Sequence, residues 1–285
     1  FIVLSGEPTM LLTQLAARTP LFPSRPQKRA APPRPVEPYK FLDYYSSSDS
    51  AIFFGRVGET ERLLSSTLVN PITVVVGPSG VGKTSLLLAG LLPRLAESGC
   101  NTHVVRALDD PVAALGRAVT ALPTDERPLH EILESLTSAS AIEVFAIDQF
   151  EEFFLRVSPS ARRAFAQTLR DCIQSSTHSF HFVLVLREDF LHRLWELEPP
   201  LDSLLSNRIR LRRFDEQAAR DAIRRPAELF NFDVEEAFVT CLLKDLDEGD
   251  GSIEPAHLQV VCFEILRRAE GAGLQLSQYR ELGGA

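Results

Sequence analysis

The stretch Gly77-Pro78-Ser79-Gly80-Val81-Gly82-Lys83-Thr84 combines residue types that together can hold a polyphosphate. Its glycines allow tight turns, so that consecutive backbone N–H groups can converge on phosphate oxygens. Lys83 supplies a positive charge for the terminal phosphates, and the Thr84 hydroxyl can ligate Mg²⁺. The spacing fits G-x-x-x-x-G-K-[ST], the phosphate-binding loop, and Ser85 directly after it is assigned to the same site. The stretch therefore predicts a site for a nucleoside triphosphate.

Acidic residues about sixty positions further along could complete such a site. Asp148 ends an apolar stretch and is predicted to hold Mg²⁺, chiefly through water, because Mg²⁺ loses its hydration shell reluctantly. Glu151 and Glu152 follow, and either carboxylate could orient or deprotonate the attacking water. The alternative for this pair is that both simply open a helix, since acidic side chains are favourable in a first turn.

Arginines and aromatic residues supply two further candidate contacts. Arg187 ends a strand expected beside the strand that precedes the phosphate loop, so it could contact a γ-phosphate; its alternative is an ion pair with Glu188 or Asp189. Arg208 could act on a neighbouring subunit, although three other arginines follow it closely. The aromatic stretch 51–54, beside Gly55 and Arg56, offers a surface on which a flat base could dock.

Strands and helices alternate around these residues. Apolar runs predict strands over 72–76, 102–106, 141–148, 181–186 and 209–211, and the intervening patterns predict helices over 59–68, 83–92, 111–122, 128–136 and 159–173. From residue 215 only helices are predicted, over 216–224 (stopped near Pro226), 234–245 and 255–269. This order is typical of an α/β fold with a parallel sheet and an α-helical lid.

Composition divides the chain into four predicted regions. Residues 1–19 are expected to be the tail of an upstream domain, because the chain opens with Phe1 rather than Met. Residues 20–38 hold seven prolines among basic residues and are predicted to be a linker. Residues 39–214 are predicted to form the nucleotide-binding core, and residues 215–285 the lid with the possible start of a winged-helix region.

Charge and cysteine usage restrict the partners. The net charge of −8 over 285 residues argues against a dedicated nucleic-acid-binding protein. The four cysteines lie far apart without a CxxC pair, as expected of free thiols in a reducing cytoplasm. No apolar stretch reaches the length of a membrane span, so we expect a cytoplasmic protein without a membrane partner.

Taken in order, these motifs resemble those of the STAND NTPases (signal-transduction ATPases with numerous domains), in particular the bacterial novel STAND branch. The likeness covers about residues 39 to 269. It rests on Tyr39-Lys40-Phe41-Leu42 with Phe53-Phe54-Gly55-Arg56, the phosphate loop with Ala89-Gly90-Leu91-Leu92-Pro93-Arg94-Leu95, Ile147-Asp148-Gln149-Phe150-Glu151-Glu152, Leu186-Arg187-Glu188-Asp189-Phe190, and Ile253-Glu254-Pro255-Ala256-His257-Leu258-Gln259.

The resemblance implies an AAA+-like P-loop core, a helical bundle and ATP or ADP with Mg²⁺ as cofactors. By this resemblance, Lys83 and Thr84 bind phosphate and Mg²⁺, and Asp148 orders Mg²⁺. Glu151 or Glu152 would serve hydrolysis, and Arg187 would sense the γ-phosphate. The base would be bordered by Phe54, Gly55 and Arg56 and capped by Pro255. Gln149 stands where many AAA+ relatives carry the catalytic Glu, so the identity of the base stays open.

The resemblance also implies a function. ADP would hold a closed monomer, and ATP would open it for self-association that activates a fused or upstream effector in bacterial defence or cell death. A downstream sensor would supply the trigger, and slow ATP hydrolysis would reset the switch. Two other functions stay open: an AAA+-type turnover ATPase acting on nucleic acid, disfavoured by the acidic core, and a scaffold that holds nucleotide without hydrolysing it.

Overall fold

The structure, a computed structural model, describes residues 37–106, 111–119, 129–136, 142–174, 179–198, 201, 204, 206–247, 249–268 and 273–284. The predicted upstream tail 1–19 and nearly all of the predicted linker 20–38 lie outside these residues. Within the described part of the chain, no helix is both long enough and apolar enough to cross a membrane.

Five parallel strands form one sheet in the described part of the chain. They are β1 (Ile72–Gly77), β2 (Asn101–Arg106), β3 (Ile142–Asp148), β4 (Ser179–Arg187) and β5 (Arg208–Arg210), in the order β2-β3-β4-β1-β5. Every residue of β1 is buried, as is nearly all of β3. A strand that is covered on both faces needs apolar side chains in succession, which explains why continuous apolar runs predicted these strands.

The sheet register brings the candidate site residues to one edge. Gly77 at the end of β1 lies opposite Arg187 at the end of β4, and Asp148 at the end of β3 lies opposite Arg106 of β2. The prediction that the strand ending in Arg187 neighbours the phosphate-loop strand is therefore confirmed. Because all five strands are parallel, their carboxyl ends share one edge, where α/β proteins place their ligands.

Helices cover both faces of the sheet. They are α1 (Val57–Val69), α2 (Lys83–Ser85, Leu86–Leu91 and Leu92–Glu97 as one continuous helix), α3 (Pro111–Val119), α4 (Leu129–Leu136), α5 (Glu151–Arg156) and α6 (Pro159–Ile173), with 3₁₀ helices at Ser47–Ile52 and Glu188–Leu197. One apolar cluster packs α3 to α6 on one face, and a second packs α1 and α2 on the other. The α/β class predicted from the sequence is confirmed.

The helix after the phosphate loop differs from its prediction. It runs five residues beyond the expected end at residue 92, and its middle segment, Leu86–Leu91, is π-helical. A π segment is a wider turn that reads as ordinary helix in a hydrophobic pattern. Gly90 lies in this segment, where a Cβ would stand 2.9 Å from Thr60 Oγ1 of α1. The absence of a side chain at Gly90 thus lets α1 and α2 approach closely.

After the sheet, the described residues form four helices of the lid: α7 (Glu216–Leu229), α8 (Glu236–Leu246), α9 (Pro255–Arg268) and α10 (Leu276–Glu281). They share an apolar cluster of their own. The prediction that α7 stops near Pro226 was wrong, because the helix continues through Pro226 to Leu229. Proline costs the helix one hydrogen bond, but Pro226 is buried in the lid, where packing offsets that loss.

Candidate functional site

The phosphate loop connects β1 to α2 in a conformation that glycine makes possible. Gly80 and Gly82 have φ of 78° and 93°, in the left-handed region that other residues avoid. Lys83 Nζ donates hydrogen bonds to the carbonyl oxygens of Gly77 at 3.0 Å and Pro78 at 2.7 Å. These contacts hold the ammonium group against the loop. Burial lowers the pKa of Lys83, while the nearby carboxylates of Glu151 and Asp148 oppose that shift.

Two oxygen-bearing side chains meet beside the loop. Thr84 Oγ1 donates to Asp148 Oδ2 at 2.9 Å. Asp148 is buried at the end of β3, and Thr84 lies in the first turn of α2. Only β4 separates β3 from β1 in the sheet, so the end of β3 and the helix that follows β1 both reach this position beside the loop. A hydroxyl and a carboxylate at this distance from each other form a pair of oxygen ligands of the kind that Mg²⁺ accepts.

The two candidate bases occupy different surroundings at the start of α5. Glu151 lines the cavity, and its Oε2 accepts a hydrogen bond from the backbone N–H of Arg187 at 3.3 Å. Glu152 instead forms an ion pair with Arg156, at 2.8 Å between Oε2 and Nε. The turn before them passes through Gln149, a non-glycine residue with φ of 53° that also lines the cavity. The structure thus brings Glu151, but not Glu152, to the cavity.

The candidate arginines are placed differently from each other. Arg187 lines the cavity, and its guanidinium also pairs with Asp189, at 2.7 Å between Nη2 and Oδ2. Both of its predicted contacts, with the site and with a neighbouring acid, are therefore compatible. Arg208 is exposed on the edge strand β5 and is not among the residues that line the cavity. His257 is exposed on α9.

A cavity of about 300 Å³ joins the phosphate loop to the lid. Its walls include Ser79 to Ser85 of the loop and α2, Asp148, Glu151 and Arg187 from the sheet edge, and Phe54 and Arg56 from the segment before α1. The lid contributes Pro255, Ala256 and Gln259 of α9 and Ala222 of α7. Most residues assigned from the sequence line this cavity; Gly55, Gly77, Pro78 and Glu152 do not.

The turn at Phe54, Gly55 and Arg56 is where the core meets the lid. Gly55 has φ of 80°, and a Cβ there would lie 2.6 Å from the carbonyl oxygen of Ala218 in α7. The Phe54 ring lies under the guanidinium of Arg225 from the same helix, at 5.4 Å. Arg56 is buried, with its guanidinium 4.2 Å above the ring of Phe214. This turn therefore packs directly against the lid as well as lining the cavity.

Residues 39–45, which we call the strap, were not assigned to the site by sequence reasoning. The Tyr45 N–H donates to Ser85 Oγ at 3.1 Å, and the Tyr45 hydroxyl donates to Gln259 Oε1 of α9 at 2.7 Å. The same Gln259 oxygen accepts from the Lys40 N–H at 3.1 Å, and the Tyr39 hydroxyl donates to the carbonyl of Ile223 in α7. The strap therefore connects α2 to two lid helices.

The fold and this edge of the sheet define a class: the chain has an AAA+-like P-loop NTPase fold. A Walker-type ATPase of Pyrococcus abyssi superimposes with a TM-score of 0.62 at 18% identity, over 86% of this chain and 76% of that one. The ORC2 protein of Aeropyrum pernix, solved as ADPNP–ADP complexes, gives 0.58 at 17%, over 79% and 66%. The ORC1 protein of the same organism, solved in complex with DNA, gives 0.56 at 17%, over 81% and 65%.

The family follows from the sequence itself. The model of the Novel STAND NTPase 1 family matches residues 38–285, and the chain belongs to that family. The resemblance drawn from the ordered motifs is therefore confirmed. No curated protein matches the chain. The chain spans about two thirds of the length of the two archaeal ORC chains.

Proposed function

We propose that this chain is the nucleotide-binding switch module of a signalling ATPase. It binds ADP or ATP with Mg²⁺ in the cavity between the phosphate loop and the lid, and it hydrolyses ATP slowly. The observation that carries the proposal is the composition of the cavity wall, which takes the phosphate loop from the core and Pro255, Ala256 and Gln259 from the lid. A ligand that contacts both parts stabilises the closed arrangement by its binding free energy.

The residues present fit a Mg²⁺–nucleotide complex. The positive φ of the loop glycines gives the kind of turn in which backbone N–H groups can face an anion, and the side-chain oxygens of Thr84 and Asp148 lie 2.9 Å apart beside the loop. Mg²⁺ needs few protein ligands, because phosphate oxygens and water complete its shell. Consistently, the described residues contain no cluster of three or more His, Cys, Asp or Glu side chains that would enclose a metal ion on its own.

Hydrolysis is assigned to side chains that reach the cavity. Thr84 and Asp148 would hold Mg²⁺, which would neutralise charge on the phosphates, and Lys83 would offer its ammonium group to them. Glu151 is the base that accepts the proton of the attacking water, since its carboxylate lines the cavity whereas that of Glu152 is paired with Arg156. Arg187 also lines the cavity and senses the γ-phosphate.

The signalling role follows from lid closure. We propose that ADP keeps the module closed and monomeric, and that ATP favours an open form that self-associates and activates a fused effector in bacterial defence or cell death. Neighbours solved with ADP or ADPNP support nucleotide binding at this fold.

The test is to denature the purified protein, identify the released nucleotide by ion exchange, and size the native sample by light scattering. A monomer carrying ADP is expected; an empty protein, or a stable oligomer carrying ADP, would refute this form of the switch.

One observation favours a second candidate, an ATP-dependent module that binds nucleic acid. Arg208, Arg210 and Arg212 are exposed along β5 and the residue pair after it, and the ORC1 neighbour was solved with DNA. Labelled duplex DNA would separate the two functions in a fluorescence anisotropy titration at two salt concentrations. Binding that weakens with salt, together with DNA-stimulated ATPase turnover, would favour this candidate over the switch.

A further inference from the structure

Arg56 makes a set of contacts that goes beyond a place beside a base. Its side chain is buried, with 3% of the residue exposed. Nη2 donates to the carbonyl oxygen of Val81 at 3.1 Å and to that of Arg212 at 2.8 Å, and Nη1 donates to Glu59 Oε1 at 3.0 Å. Three of the five guanidinium N–H groups are therefore engaged by protein acceptors.

The two carbonyl acceptors belong to different segments of the chain. Val81 lies in the phosphate loop, between Gly80 and Gly82. Arg212 lies in the short connection from β5 to the first lid helix, α7. A single nitrogen atom of Arg56 thus joins the loop that would hold phosphates to the segment on which the lid would pivot. Both carbonyl oxygens accept from the same nitrogen, so the position of Arg56 depends on both.

The ring of Phe214 extends this link to the segment that precedes α9. The Arg56 guanidinium lies 4.2 Å above that ring, within the range of a cation–π contact. Phe214 exchanges two backbone hydrogen bonds of 2.9 Å with Ile253, two residues before Pro255 at the start of α9. The segment that precedes α7 and the one that precedes α9 are therefore held together directly under Arg56.

We propose that Arg56 is a positioning residue that couples the phosphate loop to the lid. The inference rests on the proposed function and names the regulation of that same site. Its guanidinium keeps the loop, the pivot before α7 and the segment before α9 in the closed arrangement, so that nucleotide on the loop orders the lid. Lysine cannot replace it, because an ammonium group is a point donor without the planar fork that reaches two carbonyls and stacks on a ring.

The experiment compares Arg56→Lys with Arg62→Lys, a change of the same chemistry at an exposed position on α1. Hydrogen exchange of the full chain is followed by mass spectrometry with and without ADP and Mg²⁺. Coupling between sites typically amounts to 5–150-fold, so in wild type and in Arg62→Lys we expect ADP to slow exchange in residues 216–229 and 255–268 by at least about fivefold. In Arg56→Lys the loop peptides stay protected by ADP, while the lid peptides slow by less than about twofold.

A second variant keeps the inference open to refutation if Arg56→Lys does not fold. Phe214→Leu keeps an apolar side chain but removes the ring under the guanidinium, and it must uncouple the lid in the same direction. Lid protection by ADP equal to wild type in both variants would overturn the inference. Loss of ADP from the loop of Arg56→Lys would also overturn it, since Arg56 would then be a nucleotide ligand. If wild type itself binds no ADP, the proposed function fails instead.

Discussion

Gly55 offers a sharp test of how the lid docks on the core. In Gly55→Ala, the new Cβ would lie 2.6 Å from the carbonyl oxygen of Ala218 and 3.1 Å from the Phe214 ring. The left-handed φ of 80° adds about 1–2 kcal/mol for any residue with a Cβ. Overpacking against backbone adds about 1–3 kcal/mol, because a helix carbonyl cannot rotate away as a side chain can. We expect the free energy of unfolding to fall by about 2–5 kcal/mol.

The matched control is Gly58→Ala, three residues further along the chain. A Cβ at Gly58 meets nothing within 4 Å, and its φ is not left-handed, so the change should stabilise α1 by about 0.4–1 kcal/mol. Urea denaturation followed by circular dichroism gives both free energies, and thermal unfolding should place Gly55→Ala roughly 5–15 °C below wild type. If the two variants unfold within about 0.5 kcal/mol of each other, the close contact between the turn and α7 is not formed in solution.

Three further predictions concern the cavity. Lys83→Ala should weaken ADP and ATP binding by about 10–100-fold in calorimetry, because it removes a charged donor to phosphate. Circular dichroism should show an unchanged fold, and wild-type affinity would remove the loop from the site. Glu151→Gln should slow ATP hydrolysis by about 10²–10⁴-fold with ATP binding retained, whereas Glu152→Gln should stay near wild type; the reverse order would exchange their roles. ATP should bind more tightly with Mg²⁺ than with EDTA, and Thr84→Val should reduce this gain in affinity by about tenfold. An unchanged gain would refute Thr84 as a metal ligand.

The strands and most of the cavity could be predicted from local sequence. Buried parallel strands such as β1 and β3 need continuous apolar runs, and these are visible without any knowledge of their partners. The phosphate loop and Asp148 were equally accessible, because each follows directly after such a run. The position of β4 beside β1 followed from the expected order of this class and was confirmed.

Contacts between distant parts of the chain could not be predicted in the same way. Gln259 accepts from Tyr45, which lies over two hundred residues earlier, and nothing local to either residue indicates that pairing. The guanidinium of Arg56 similarly finds its acceptors only once β5 and the loop are assembled. The extent of α7 depended on tertiary packing, because burial of Pro226 in the lid overrides its local tendency to end a helix.

The strand order also governs how this protein can be made on the ribosome. β1 is flanked by β4 and β5, which follow it by more than a hundred residues. At about 5–20 residues per second, β1 emerges on the order of 10 s before its neighbours and must wait unpaired. During that interval a mostly apolar strand is exposed to other chains. Nucleotide cannot protect it, because the lid residues that complete the cavity wall have not yet been synthesised. Folding of this module should therefore depend on chaperones early and on nucleotide only after β5 and the lid have been synthesised.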